Sequence, residues 1–170
     1  MPVPELVTDR LHLAPLIAAD APFALELLNE PDFVRFIGDR GVRTLDDARR
    51  YLDDGPLRSY RAHGFGLLRT ALRDTDEPVG ICGLLWRDAL PGPDLGFAFL
   101  HRHCGRGYAT EAGRAVLDHA FAVLGLERVL AITSLDHPAS RRVLHKLGFG
   151  DDGTMNFGAD VVRLLSCSRS

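Results

Sequence analysis

Residues Arg102–Ala112 read R-H-C-G-R-G-Y-A-T-E-A. They follow an apolar run, Leu95–Leu100, that reads as a strand, and they open an amphipathic helix. Gly105 and Gly107 permit a tight turn and a close approach of backbone to ligand, because no side chain stands in the way. A helix start offers unpaired N–H groups and a partial positive charge, which suits an anion. Arg102 and Arg106 add formal charge, and no Asp or Glu falls between Asp94 and Glu111. Strand, glycine-arginine turn and helix start together read as a pyrophosphate cradle. A dinucleotide fingerprint would place a third glycine where Thr110 stands, and a P-loop would need a Lys that this stretch lacks.

Working outward, Thr8–Pro15 alternates apolar Leu11 and Leu13 with polar Arg10 and His12, the pattern of a strand. Asp20 can cap a helix that runs to Leu28, with Phe23, Leu27 and Leu28 on one face. Thr44 and Asp47 form a capping-box pattern that opens a second helix, expected to reach Arg61. Phe65–Ala71 and Pro78–Trp86 read as strands joined by the polar turn Arg73–Glu77, and Leu90–Asp94 reads as a turn. The helix from Gly107 to Leu124 buries Gly113, Val116, Leu117, Ala120, Phe121 and Leu124, and Gly125 ends it. Arg128–Thr133 is a strand. Pro138 starts a helix that Gly148 stops, and Val161–Leu165 is a last strand. A strand-rich middle followed by strands and helices in alternation predicts an α/β (mixed α+β) fold with helices on both faces of a mixed sheet.

The chain has 170 residues, the size of one domain spanning 1–170, and can bury about 70% of its unfolded surface. No apolar run approaches the roughly 20 residues of a membrane span, and no signal peptide is visible. Three widely spaced cysteines, Cys82, Cys104 and Cys167, fit reduced thiols in the cytoplasm. A net charge of −3 argues against general nucleic-acid binding. Residues 1–90 carry a net −4 and residues 91–170 a net +1. That split suits a cationic substrate on one half and an anionic cofactor on the other, or is ordinary surface scatter. His101, Arg102, His103 and Cys104 lack the spacing of a closed metal site, so no metal is expected.

The pattern R-x-x-G-x-G, Arg102–Gly107, resembles the coenzyme A loop of the GNAT N-acetyltransferase superfamily. The phrase G-R-G-Y-A-T-E-A is similar to the branch of ribosomal-protein N-terminal acetyltransferases (RimJ/RimL-like). A second block, Leu135–Phe149, reads L-D-H-P-A-S-R-R-V-L-H-K-L-G-F and resembles the family's D-N-x-x-S-x-R-V-L-E-K-L-G-F. The openings T-D-R-L-H-L-A-P-L from Thr8 and P-V-G-I-C-G-L-L-W-R-D from Pro78 resemble the same branch, so the likeness covers Thr8 to Phe149.

The resemblance implies a GNAT fold, with a mostly antiparallel twisted sheet that splays between its fourth and fifth strands, Leu95–Leu100 and Arg128–Thr133. Acetyl-CoA would lie in that gap as cosubstrate. Backbone groups near Phe99 and Leu100 would hold the pantetheine arm and polarise the thioester. Arg102, His103, Cys104, Gly105, Arg106, Gly107, Tyr108, Ala109 and Thr110 would hold the pyrophosphate. The implied partner is an amine acceptor, either a peptide N-terminus or a small molecule, and a homodimer is implied by analogy.

The implied reaction is direct attack of an amine on a thioester. At pH 7, deprotonation costs an α-amine of pKa near 8 about 1.4 kcal/mol, and a Lys amine near 10.4 about 4.6 kcal/mol. A modest base suffices for the α-amine, and most of the rate would come from positioning and main-chain N–H groups. Ser140 matches the family serine and could protonate the departing thiolate, or it bonds locally as a first-turn residue. Many relatives carry a Tyr where this chain has Leu144. His137 stands where the family has Asn, either as a partial substitute on the cofactor amides or as a helix-entry residue. Asp94 is a candidate base through water, or a solvated turn residue after Pro93. Arg141, Arg142 and Lys146 touch a cofactor phosphate or form a solvated helix face. Trp86, Phe65 and Tyr60 line the acceptor pocket or pack in the core.

Overall fold

The computed structural model describes residues 2–170. The chain opens with β1 (Leu6–Val7) and β2 (Leu11–Pro15), which pair antiparallel. Leu11 and Leu13 of β2 are fully buried, as their alternation requires. Next come α1 (Ala21–Leu28) and a short α2 (Pro31–Phe36). Asp20 does not cap α1 with its side chain. Its carboxylate takes the Ile17 N–H of the preceding 3₁₀ turn and pairs with Arg69.

The helix expected from Thr44 to Arg61 is three pieces. α3 (Leu45–Leu52) starts with the Thr44–Asp47 capping box, and α4 (Arg58–His63) ends at Gly64. Between them lies a π turn, Asp53–Leu57, with Pro56 inside it. Proline has no N–H for the carbonyl four residues back, so the ladder slips there to a wider register.

β3 (Leu67–Leu72), β4 (Pro78–Leu85) and β5 (Asp94–Phe99) continue the sheet antiparallel. β4 is buried along nearly its whole length, as befits a central strand. A Cβ at Gly83 would stand 2.1 Å from the Gly66 carbonyl oxygen, so only glycine lets β3 cross this closely. α5 (Tyr108–Ala122) follows the glycine loop, then β6 (Arg128–Ser134) and α6 (Pro138–Lys146). β7 (Gly150–Phe157) and β8 (Asp160–Ser168) form a closing hairpin.

The strand order is β1-β2-β3-β4-β5-β6-β8-β7, antiparallel except for β5 with β6. One core lies between the sheet and α5 with α6, built on Leu13, Val116, Leu117, Leu144 and Leu165. The other lies between the opposite face and α1 with α3, built on Phe23, Leu27, Leu52, Ile81 and Leu100. The feature that positions the site is the β5–β6 junction. These parallel strands pair only at Asp94 and Leu130, where the Leu130 N–H donates to Pro93 at 2.9 Å, and then diverge. Among the described residues no helix is long and apolar enough to cross a membrane.

Candidate active site

The glycine loop leaves β5 through a 3₁₀ turn, His101–His103, and reaches the first turn of α5. Gly105 and Gly107 stand at φ +76° and +82°, the left-handed region that L side chains rarely adopt. Gly107 is the N-cap of α5. The N–H groups of Gly105, Gly107, Tyr108, Ala109 and Thr110 find no acceptor among the described residues. They form a row of donors at the positive end of a 15-residue helix, open to solvent at the glycines.

The charged residues of the loop are not equivalent. The Arg102 guanidinium is committed to Glu26 on α1 and ties the loop to that helix. Arg106 projects outward, while its carbonyl accepts from Arg10 at 2.9 Å. His103 is buried against Glu77, at 3.2 Å, and the Cys104 thiol turns back toward the Leu100 carbonyl. Glu111 lies in the first turn of α5, where it would oppose an anion. Its carboxylate takes the Thr8 hydroxyl, the Arg10 backbone N–H and the Arg10 Nε. Burial pushes Glu111 up, but these donors outweigh it and hold the carboxyl below its usual range. Arg10 also lies over the Tyr108 ring, 4.6 Å from its centroid. In the sequence nothing links Thr8 and Arg10 to this loop. The only signal is Glu111 itself, an acid in the first turn of a helix whose N-terminus is read as an anion site, which needs a neutralising partner.

From the loop, the open edge of β5 runs back toward Asp94. The β4–β5 register leaves Phe97 and Phe99 opposite Cys82 and Gly80 in non-hydrogen-bonded pairs. Their main-chain groups therefore point into the gap. Leu100, expected to serve beside Phe99, has its N–H donated to Val79 and its carbonyl taken by His103. Phe97 offers its main chain instead. From Phe99 to Asp94 the strand covers about 17 Å, comparable to an extended pantetheine arm.

At the narrow end of the gap lies a cavity of about 180 Å³ that passes through the sheet. Phe33 and Tyr51 reach it from one face, and Ser140 and Leu144 from the other. Asp94 lines it and is 1% exposed, so it is not the solvated turn residue its prolines suggest. Burial pushes its carboxyl up to about 6, against the pull of the Arg87 Nε at 3.1 Å. Ser140 makes no hydrogen bond to another described residue. Leu144 is buried and fills the wall where a tyrosine would carry a hydroxyl. The His137 ring stacks on Phe36 at 3.9 Å and 8°, and burial lowers its pKa. Beside it, Arg35 pairs with Asp136 at 3.0 Å. Together these contacts join α2 to the entry of α6 across the cavity.

Of the aromatic candidates, Tyr60 packs in the core, bonding Leu16 and Leu67 through its hydroxyl, and Phe65 packs against the α5-side core. Trp86 is 45% exposed and lines a second, adjoining cavity with His63. Asp94, Ser140, His137 and Phe97 meet at the first cavity, whereas the loop residues gather at the far end of the gap.

Comparison with known proteins agrees with this geometry. Residues 10–150 match the family model of the acetyltransferase (GNAT) domain. The uncharacterized protein YkkB of Bacillus subtilis (strain 168) is 30% identical over 147 residues, covering 85% of this chain and 84% of YkkB. The crystal structure of an acetyltransferase from Agrobacterium tumefaciens str. C58 aligns with a TM-score of 0.85 at 27% identity, covering 99% of this chain and 96% of that one. RimL, a ribosomal L7/L12 alpha-N-protein acetyltransferase solved in complex with coenzyme A, shares the fold at a TM-score of 0.80 and 15% identity, over 99% of this chain and 98% of its own. With a matching domain over most of its length and a sheet that parts beside a glycine-arginine helix start, the chain belongs to the GNAT family of acetyltransferases.

Proposed function

We propose that this acetyltransferase moves an acetyl group from acetyl-CoA to a primary amine, on a peptide N-terminus or a small molecule, by direct attack. The observation that carries the reading is the pair of open main-chain donor sets at the two ends of the gap. One set lies at Gly105 and Gly107–Thr110 at the helix start, the other at Phe99 and Phe97 along the parted strand. Such a pair fits a long ligand with a diphosphate at one end and amides along its arm. The gap ends at the cavity that Asp94 and Ser140 line.

In this reading acetyl-CoA supplies an activated thioester. Phe97 and Phe99 orient the arm through their main chains, and exposed N–H groups on that edge stabilise the developing oxyanion. Asp94, with a pKa near 6, is mostly ionised at pH 7 and accepts the proton of the amine through water. The Ser140 hydroxyl, unengaged by the protein, donates to the departing thiolate. Leu144 offers no proton, so Ser140 is the group available for that step. We place the chain in the RimJ/RimL-like branch on the phrase G-R-G-Y-A-T-E-A. A reducing cytoplasm is the proposed setting, since Cys82, Cys104 and Cys167 are all free thiols.

The test is calorimetry with acetyl-CoA and with CoA, followed by thiol release with a panel of amines and peptides. Saturable binding and amine-dependent thiol release are expected. Absence of binding to folded protein would overturn the reading. Binding without turnover on any amine would make the chain a non-catalytic coenzyme A module.

A further inference from the structure

We infer that Arg40 and Tyr51 form an anion-recognising subsite in the cavity beside Asp94, so that the acceptor is an amine carrying a nearby carboxylate. This rests on the acetyl-transfer reading and gives that acceptor its chemistry. The first cavity is lined by the charged side chains of Arg87, Asp94 and Arg40, together with His137. Arg87 is spent on Asp94, reaching both carboxylate oxygens. His137 is stacked on Phe36 and held toward its neutral form by burial. Arg40 makes no ion pair or hydrogen bond with any described residue. It is the uncompensated charge of the cavity.

Arg40 is exposed at the rim, and among the arginines that line the first cavity it alone has no partner. Its neighbours along the chain are matched: Arg35 with Asp136, Arg43 with Asp39, Arg49 with Asp46, Arg50 with Asp47. Asp54 and Asp88 line the adjoining cavity, with Arg58.

Tyr51 supplies the second observation. It borders both cavities and is half-buried, yet its hydroxyl bonds to nothing among the described residues. A half-buried phenol with no hydrogen-bond partner, lining the same cavity as an unpaired guanidinium, is available to an acceptor-only group, which a carboxylate is. Placing the substrate carboxylate on Arg40 also fixes the direction from which the amine approaches. The positive charge further disfavours the ammonium form of that amine.

The carboxylate could belong to a free amino acid or to an acidic side chain at a peptide N-terminus. Two substrate pairs separate these sources: alanine against alaninamide, and Asp-Ala-amide against Asn-Ala-amide. The readout is the acid-to-amide ratio of kcat/KM in the wild type divided by the same ratio in Arg40→Met. This quotient removes the difference in amine pKa within each pair. A quotient of about tenfold or more in one pair is expected, with partial rescue by Arg40→Lys. Tyr51→Phe should lower the ratio in the same pair. A quotient near one in both pairs overturns the subsite while leaving acetyl transfer in place. If no amine turns over, the corresponding N-acetylated products are titrated onto the CoA-loaded protein. Equal affinity of acid and amide there, unchanged by Arg40→Met, is equally fatal to the subsite. Failure of the protein to bind CoA at all is the separate outcome that overturns the underlying reading.

Discussion

Replacing Asp94 by Asn tests the chemistry and the physics of the cavity together. Asp94 is 1% exposed, and its carboxyl is pushed from an ordinary 3.8 up to about 6. That rise corresponds to about 3 kcal/mol of cost for keeping the ionised form in the fold. The sign follows from linkage. A raised folded-state pKa gives stability that is fully present below about pH 3.8 and is lost as the pH climbs through about 6. Asn carries no such term, and water can reach the Arg87 guanidinium left behind, which is 27% exposed. Urea unfolding of both proteins from pH 4.5 to 7.5 should therefore show the difference in stability moving toward the variant by about 2 kcal/mol across the window, the rest of the change lying below pH 4.5.

The kinetic consequence runs the other way. With Asp94 as the base, kcat/KM rises through pH 6 as the carboxyl ionises, and rises again toward the pKa of the acceptor amine. Asp94→Asn should erase the lower limb and cut kcat by about 100-fold, the lower range for a positioned general base. Thiol-release assays across pH measure both effects. A variant that keeps the wild-type rate and the limb near pH 6 would refute Asp94 as the base. A stability difference flat across the same range would refute its burial as an ionisable group.

Gly107→Trp should weaken CoA binding at least tenfold by calorimetry, since φ is +82° there and the side chain would press on the Arg10 guanidinium that fixes the loop; unchanged affinity would remove the loop from the site. Ser140→Ala should lower kcat while the dissociation constant for CoA stays within about twofold, and an unchanged kcat would exclude the hydroxyl from thiolate protonation. Leu144→Ala should destabilise the fold by about 2–5 kcal/mol in urea unfolding, because the side chain is 1% exposed at the seam between core and cavity. Gly83→Ala should yield little folded protein by circular dichroism, as its methyl group meets the Gly66 carbonyl at 2.1 Å.

The features legible in the sequence are those coded by near neighbours. The α5 stripe of Val116, Leu117 and Ala120, the capping box of Thr44 and the paired glycines of the loop all reflect local periodicity or local backbone demand. The features that were not legible depend on partners far along the chain. β7 reads G-D-D-G-T-M-N-F, a turn-like string, because an edge strand gains from polar, bulged, glycine-containing sequence that discourages further pairing. α2 has six residues and starts at a proline, too short for periodicity to register. Pro56 marks the π turn, yet a capped amphipathic pattern on either side reads as one helix. Asp94 follows Pro91, Gly92 and Pro93, which signal an exposed turn. Its burial comes from α2, α3 and β6 closing over it, and no local spacing reports that. The gap itself is an absence of pairing between two strands that each look ordinary.

Glu111 sets two electrostatic demands against each other. An acid in the first turn steadies a helix through its dipole, but it would repel a diphosphate bound at the same end. At a separation of about 8 Å and an effective dielectric near 20, each pair of like charges costs about 2 kcal/mol. The chain keeps the acid and cancels its field from the turn between β1 and β2. Thr8 and Arg10 take both carboxylate oxygens, and Arg10 spans onward to the Arg106 carbonyl and the face of Tyr108. The same guanidinium thus neutralises the acid and fixes the loop, holding its amide groups outward before any ligand arrives. In the proposed function the turn before β2, nearly a hundred residues upstream, is therefore part of the coenzyme A site, and its docking against α5 is what would hold the glycine-rich turn ready for a diphosphate.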